Sequence, residues 1–243
     1  MIKKKWLLFL VLLIIPADYV SSSEFTDKFD KSIISMRTNQ NSCYQMIKLL
    51  DDDLSLNPGS CEKNWKLAVA YYFYGDVYEI NIEKKKQYFM KCRDYAQIAV
   101  NINPRSIDAQ YWLGVGYAMW STANGLLESL FNVDNILKQM NNVIAIDPAY
   151  FSGFAWAVKA RVYFALPGYK EKAYQDILTA FKYGPNYRAI YQVYAEMLFL
   201  DKKYDESRKV IAKGMAIPYD PASEIEEKMA MTYMSNYLKA MDN

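Results

Sequence analysis

The chain has 243 residues, of which 29 are basic, 27 acidic and none is histidine. Without histidine, Ser-His and Cys-His nucleophilic pairs, the usual zinc sites and the commonest general base at neutral pH are all excluded. The near-balance of charge excludes the basic surface with which a nucleic-acid binder displaces counterions.

Residues 1–23 read as a cleaved secretory signal peptide. Lys3-Lys4-Lys5 form a basic head, an unbroken apolar run extends from Trp6 to Ile15, and Pro16 and the small residues Ser21, Ser22 and Ser23 follow. Ten apolar residues rise only ~15 Å as a helix, against a hydrocarbon core of ~30 Å, which is too short for a permanent span. Cleavage is expected near Ser22 or Ser23, leaving 26 basic and 26 acidic residues in a periplasmic or secreted chain. The first cysteine is Cys43, so no lipid-anchoring cysteine stands at the cut, and a soluble, unlipidated product is expected.

Residues 24–60 form an N-terminal helical segment. Asp51-Asp52-Asp53, with Ser55, Asn57 and Glu62, approach the spacing of a calcium loop, but Leu56 stands where its turn needs glycine. A solvated acidic helix end is the better reading, and no metal is expected. Cys43 and Cys61 flank one turn and are the candidate disulfide in an oxidising compartment, while Cys92, at an apolar helix position, reads as buried. No CxxC supports a redox motif or a zinc ribbon.

From residue 61 onward one phrase recurs: small or apolar residues spaced four and then three apart, with proline five further on. Cys92, Ala96, Ala99 and Pro104 form one copy, Ile136, Met140, Val143 and Pro148 a second, and Ala173, Ile177, Ala180 and Pro185 the cleanest. Ser207, Ile211, Gly214 and Pro218 form a fourth, one residue shorter; Met46, Leu50, Asp53 and Pro58 form a weak fifth upstream. Such residues share one helix face, and the small ones let a neighbouring helix approach. Proline cannot continue the helix, so each phrase reads as the second helix of a pair ending at a fixed turn.

A first helix precedes each of the later phrases. Leu113-Gly114 with Tyr117 follows Pro104, Ala160 with Tyr163 follows Pro148, and Tyr191, Ala195 and Leu198 follow Pro185. The glycine or alanine marks where the helices of a pair cross tightly, and a larger side chain there would force them apart at roughly 1–3 kcal/mol. The pattern resembles the tetratricopeptide family over roughly residues 60 to 218. The fold class expected is all-α: a tetratricopeptide-like α-solenoid of about four to five helical hairpins over residues 61–220. About ten extra residues, around Asn124-Gly125-Leu126 to Asn132, extend or interrupt one repeat. Residues 221–243, with Ser223 as an acceptable N-cap, form a C-terminal capping helix over the open end of the stack.

Tyr71-Tyr72-Phe73-Tyr74 read as core, and Lys84-Lys85-Lys86 as a solvated helix start rather than an anion site. No phosphate-binding glycine loop or dinucleotide fingerprint occurs. In a solenoid of this kind the first helices line the concave face. Projecting their register inward gives Tyr111, Val115 and Met119, then Phe154, Arg161 and Phe164, then Gln192, Glu196 and Phe199. Such a wall suits an amphipathic helix, a peptide or a small organic anion held by Arg161. The plain alternative is that Arg161 and Glu196 pair with each other.

Three phrases narrow the resemblance: Tyr111-Trp112-Leu113-Gly114 after Asn103-Pro104, Asp147-Pro148-Ala149-Tyr150-Phe151, and Leu166-Pro167-Gly168-Tyr169 with Ala173. They resemble the periplasmic tetratricopeptide proteins associated with tripartite ATP-independent periplasmic (TRAP) transporters. The resemblance implies association with a transporter's substrate-binding protein, handling of an organic ligand and homo-oligomerisation. It brings no short catalytic signature, so no site residue is carried over. The expectation is an exported binding or scaffold protein, not an enzyme, with a protein partner and no cofactor. A small organic-anion binder and an envelope structural or assembly protein stay open as alternatives.

Overall fold

The computed structural model describes residues 39–242, whose regular elements are all helices. The expected signal peptide and residues 24–38 lie outside them. The described residues fall into two compact units, 39–146 and 147–242.

The first unit contains α1 (Gln40–Leu56), α2 (Cys61–Phe73), α3 (Ile82–Ile102), α4 (Ile107–Asn124), the short α5 (Leu126–Phe131) and α6 (Val133–Ile146). A π-helical turn, Tyr74–Tyr78, separates α2 from α3. The second contains α7 (Tyr150–Ala165), α8 (Lys170–Tyr183), α9 (Arg188–Leu200), α10 (Tyr204–Met215) and α11 (Glu224–Asp242), the last preceded by a 3-10 turn, Pro221–Ser223. Within the units the hairpins are α2 with α3, α4 with α6, α7 with α8, and α9 with α10. This is the expected tetratricopeptide-like arrangement of four helix pairs with a terminal helix, and the extra residues of the longer repeat are α5.

The recurring phrase marks what is buried. Cys92, Ala96 and Ala99 on α3, Ile136, Met140 and Val143 on α6, and Ala173, Ile177 and Ala180 on α8 are all fully buried. Ser207, Ile211 and Gly214 are buried on α10. The weak fifth copy is out of register: the buried stripe of α1 is Cys43, Ile47, Leu50 and Leu54. Each helix stops two or three residues before its proline, at Leu56, Ile102, Ile146, Tyr183 and Met215.

The turns hold their freed carbonyls in a common way. Six residues after the proline, a side chain of the next helix donates back to the proline carbonyl. Asn64 does so to Pro58 at 3.1 Å, Gln110 to Pro104 at 2.8 Å and Tyr191 to Pro185 at 2.7 Å. N-caps then set the starts of the helices in the first unit: Asn39, Ser60, Asn81 and Ser106 each accept from a first-turn amide. The second unit starts differently. Phe151, Ser152 and Gly153 have φ of 47°, 55° and 73°, a left-handed turn before α7 becomes regular. At Gly153 an added Cβ would also lie 2.6 Å from the Tyr183 Cβ, so only glycine fits.

The candidate disulfide is corrected by the geometry of α2. Cys43 donates to the carbonyl of Ala70 at 3.5 Å, near the C-terminal end of α2, whereas Cys61 begins that helix. Nine residues of helix separate Cys61 from Ala70, a rise of ~13 Å, whereas a disulfide needs Cα atoms ~4–7 Å apart. Cys43, Cys61 and Cys92 are all free thiols. Burial pushes the Cys43 thiol up to about 12 and raises that of Cys92 further, which keeps both in the inert thiol form. Cys61 is only partly buried. Native alkylation is therefore expected to label Cys61 first, and all three thiols only after unfolding. Intact-mass measurement without a reductant checks this, since a native disulfide would block two sites.

Candidate binding face

The nine residues predicted to line a concave wall are divided between the two units. Tyr111, Val115 and Met119 lie on α4 in the first, and all three are buried. The reason is the surroundings of α4, on which α2, α3 and α6 all pack. A helix apolar around most of its circumference is a central helix, not one side of an open groove. Tyr111 meets Trp112 edge-on at 5.7 Å, and Trp112 packs on Tyr72 at 5.5 Å. These three residues are core.

Two of the second unit's six candidates are also buried, Phe154 and Gln192. Phe154 meets Tyr187 edge-on at 5.6 Å. Phe164 is half-buried, edge-on to Tyr174 at 6.1 Å, with the Lys170 ammonium 5.7 Å from its ring centre. The remaining three, Arg161, Glu196 and Phe199, come together on the inner side of α7 and α9. Arg161 donates to the Glu196 carboxylate at 2.5 Å, with about 13% and 14% of the two side chains exposed. Burial is the largest single influence and works against the Arg161 charge, but the Glu196 carboxylate together with the nearby Tyr237 and Tyr233 raises the guanidinium pKa above its ordinary value.

What covers this face is α11. Tyr237 stacks obliquely on Phe199 with ring centres 5.2 Å apart. Its hydroxyl is held above its ordinary pKa first by burial and then by the nearby Glu196 carboxylate. Beyond it Ala195 of α9, Ile211 of α10 and Met234 of α11 form a fully buried cluster, flanked by Tyr191, Val210, Met215 and Leu238. The wall predicted as open is therefore, in the second unit, a groove with an amphipathic helix of the same chain lying in it.

The residues that fasten that helix are not among those of the recurring phrase. Arg188, 2% exposed, donates from Nε to the Gly214 carbonyl at 3.0 Å and from Nη2 to the Ile217 carbonyl. Its Nη1 pairs with Glu227 of α11. One signal was available: Arg188 is the first residue of α9, where the helix dipole disfavours a cation unless a partner holds it. At the other end of α11, Arg208 of α10 donates to the Asp242 carboxylate at 2.8 Å and to the Met241 carbonyl at 3.2 Å.

The Arg161–Glu196 pair invites a double-mutant test. Arg161→Met is expected to cost about 1–2 kcal/mol by leaving Glu196 unpaired beneath Tyr237, and Arg161→Met with Glu196→Leu to recover most of it. Urea unfolding of Arg161→Met, Glu196→Leu and the double variant measures the coupling; Arg161→Met as stable as the wild type would show that the pair contributes nothing.

A profile of the family described as regulator of microtubule dynamics protein 1-3 matches residues 25–156, more than half of the chain. The chain belongs to this family. The match covers the whole described first unit and the beginning of α7, and the groove residues Arg161, Arg188, Glu196 and Glu227 lie beyond it. Among solved structures, the crystal structure of the yeast Tom70 is similar at 13% identity, over 96% of this chain and 68% of that one, with a TM-score of 0.36. No curated protein matches. Among the described residues, no group of acidic and cysteine side chains is arranged to hold a metal ion, and no helix is long and apolar enough to cross a membrane.

Proposed function

We propose that this member of the regulator of microtubule dynamics protein 1-3 family is an exported helical-repeat docking protein that binds another protein rather than catalysing a reaction. The observation that supports this reading best is the groove of the second unit, whose apolar floor and two arginines receive an amphipathic helix. Export rests on the basic, apolar and small-residue order of the first 23 residues. A small organic anion at Arg161 has weaker support, because Glu196 already neutralises that guanidinium.

Native mass spectrometry of the protein released gently from its own host tests the reading. A stoichiometric protein partner supports it, and a bare monomer recovered at native abundance would remove it. The partner's identity separates two narrower forms. A solute-binding protein would favour an accessory role beside a periplasmic TRAP transporter. Cosedimentation with microtubules would favour the activity for which the family's namesakes are called.

A further inference from the structure

α11 meets α9 and α10 as a bound ligand would. Its apolar stripe, with Ala230 and Met234 buried and Tyr237, Leu238 and Met241 partly buried, recurs at the four- and three-residue spacing with which an amphipathic helix anchors in a groove. An arginine brackets each end of that stripe, Arg188 holding Glu227 and Arg208 holding Asp242. The two acids are fifteen residues apart, about four helical turns. Groove and helix are thus complementary in shape along the middle and in charge at both ends.

Other features make this contact separable from the hairpins beneath it. Within the hairpins small residues bring helices close, as at Ala96, Ala99, Ala173 and Ala180. The α11 contact adds methionines: Met234 is fully buried with Ala195 and Ile211, and Met215 and Met241 pack partly buried against the same cluster, side chains that adapt to more than one shape. It also draws Arg188 and Glu227 out of water, and a buried ion pair recovers little net free energy beyond its desolvation cost. The connection contains Pro218 and Pro221, and its backbone bonds are local, Ile217 to Gly214 and Ser223 to Asp220.

We propose that α11 is a displaceable resident of a helix-binding groove, and that the groove's external partner is an amphipathic helix of another protein with an apolar stripe between two acidic residues about four turns apart. This rests on the docking function above and adds its recognition rule and its regulation: the partner enters as α11 leaves.

The test uses the full chain and a fluorescent synthetic peptide of residues 224–242. Glu227→Gln with Asp242→Asn weakens the resident helix and leaves the groove's arginines untouched. Peptide anisotropy is expected to show at least tenfold tighter binding to this variant than to the wild type. A peptide carrying the same two changes is expected to lose that gain. In the wild type, hydrogen exchange is expected to run at least a hundredfold faster at α11 amides than at the central amides of α9. Equal exchange rates in the two helices would overturn the proposal, because α11 would then open only with the whole unit, and this readout stands even where the variant fails to fold. Absence of peptide binding to a folded variant would overturn it as well. A variant that becomes a dimer by exchanging α11 would assign the groove to a second copy, against the proposal. A natural partner that stays bound in excess peptide would overturn this inference and leave the docking function intact, whereas a chain with no partner removes the docking function itself.

Discussion

Arg188→Ala is expected to destabilise the second unit by about 3–5 kcal/mol, the scale for breaking one side of a buried ion pair. Three losses coincide in this substitution. Glu227 keeps its charge in a buried position without its guanidinium partner. The Ile217 carbonyl loses its side-chain donor and the Gly214 carbonyl is left with the Ile217 amide, and poorly satisfied helix-end carbonyls are costly when buried. The side chain also leaves a large void, since Arg188 is among the largest fully buried side chains of the described residues. Calorimetry should show a transition shifted well below that of the wild type, with hydrogen exchange placing the loss in α9, α10 and α11. Arg188→Met is expected to cost less than Arg188→Ala because it keeps the stem's packing. Should Arg188→Ala unfold at the wild-type temperature, the arginine is not the fastening that the geometry describes.

The hairpins were legible in the sequence for a local reason. Small residues at Ala96, Ala99, Ala173 and Ala180 have no role on a helix surface except to let another helix in, and the proline after each stripe fixes where the helix must stop. Both signals act within one turn of the residues that carry them. The binding face was not legible, because its state depends on contacts distant in sequence. Val115 and Arg161 hold equivalent positions, each one residue after the small residue of its repeat, yet α4 is enclosed by three neighbours whereas Arg161 lies beside Tyr237 of α11, which packs on α9. Periodicity tells which side of a helix is apolar, not which neighbour covers it. The Cys43 and Cys61 pairing fails on the same ground: closeness along the chain is not closeness in space, and the length of α2 separates the two sulfurs. Arg188 could have been noticed from its place at a helix start, but its partner, 39 residues on, could not.

The two glycines of α4 separate what the repeat pattern asks for from what the packing demands. Gly114 occupies the consensus position and faces α6, where an added Cβ would meet the terminal methyl of Met140 and lie 3.1 Å from the Gln139 Cβ. Gly116, two residues on and outside the pattern, faces α3, where an added Cβ would lie 2.6 Å from the Cα and 2.7 Å from the nitrogen of Arg93. A methionine methyl at the end of three rotatable bonds can swing aside; a backbone in the middle of a helix cannot. Gly114→Ala is therefore expected to stay within about 1 kcal/mol of the wild type, since the gain in helix propensity offsets a small repacking cost. Gly116→Ala must push α3 and α4 apart, and about 3 kcal/mol of destabilisation is expected, the upper end for overpacking. Urea unfolding of both variants decides the order. If Gly114→Ala proved the costlier, the tightest crossing in this unit would lie within the α4–α6 pair, as the consensus implies, and not between successive pairs. The geometry around Arg93 places it between pairs, where it sets how closely one hairpin stacks on the next.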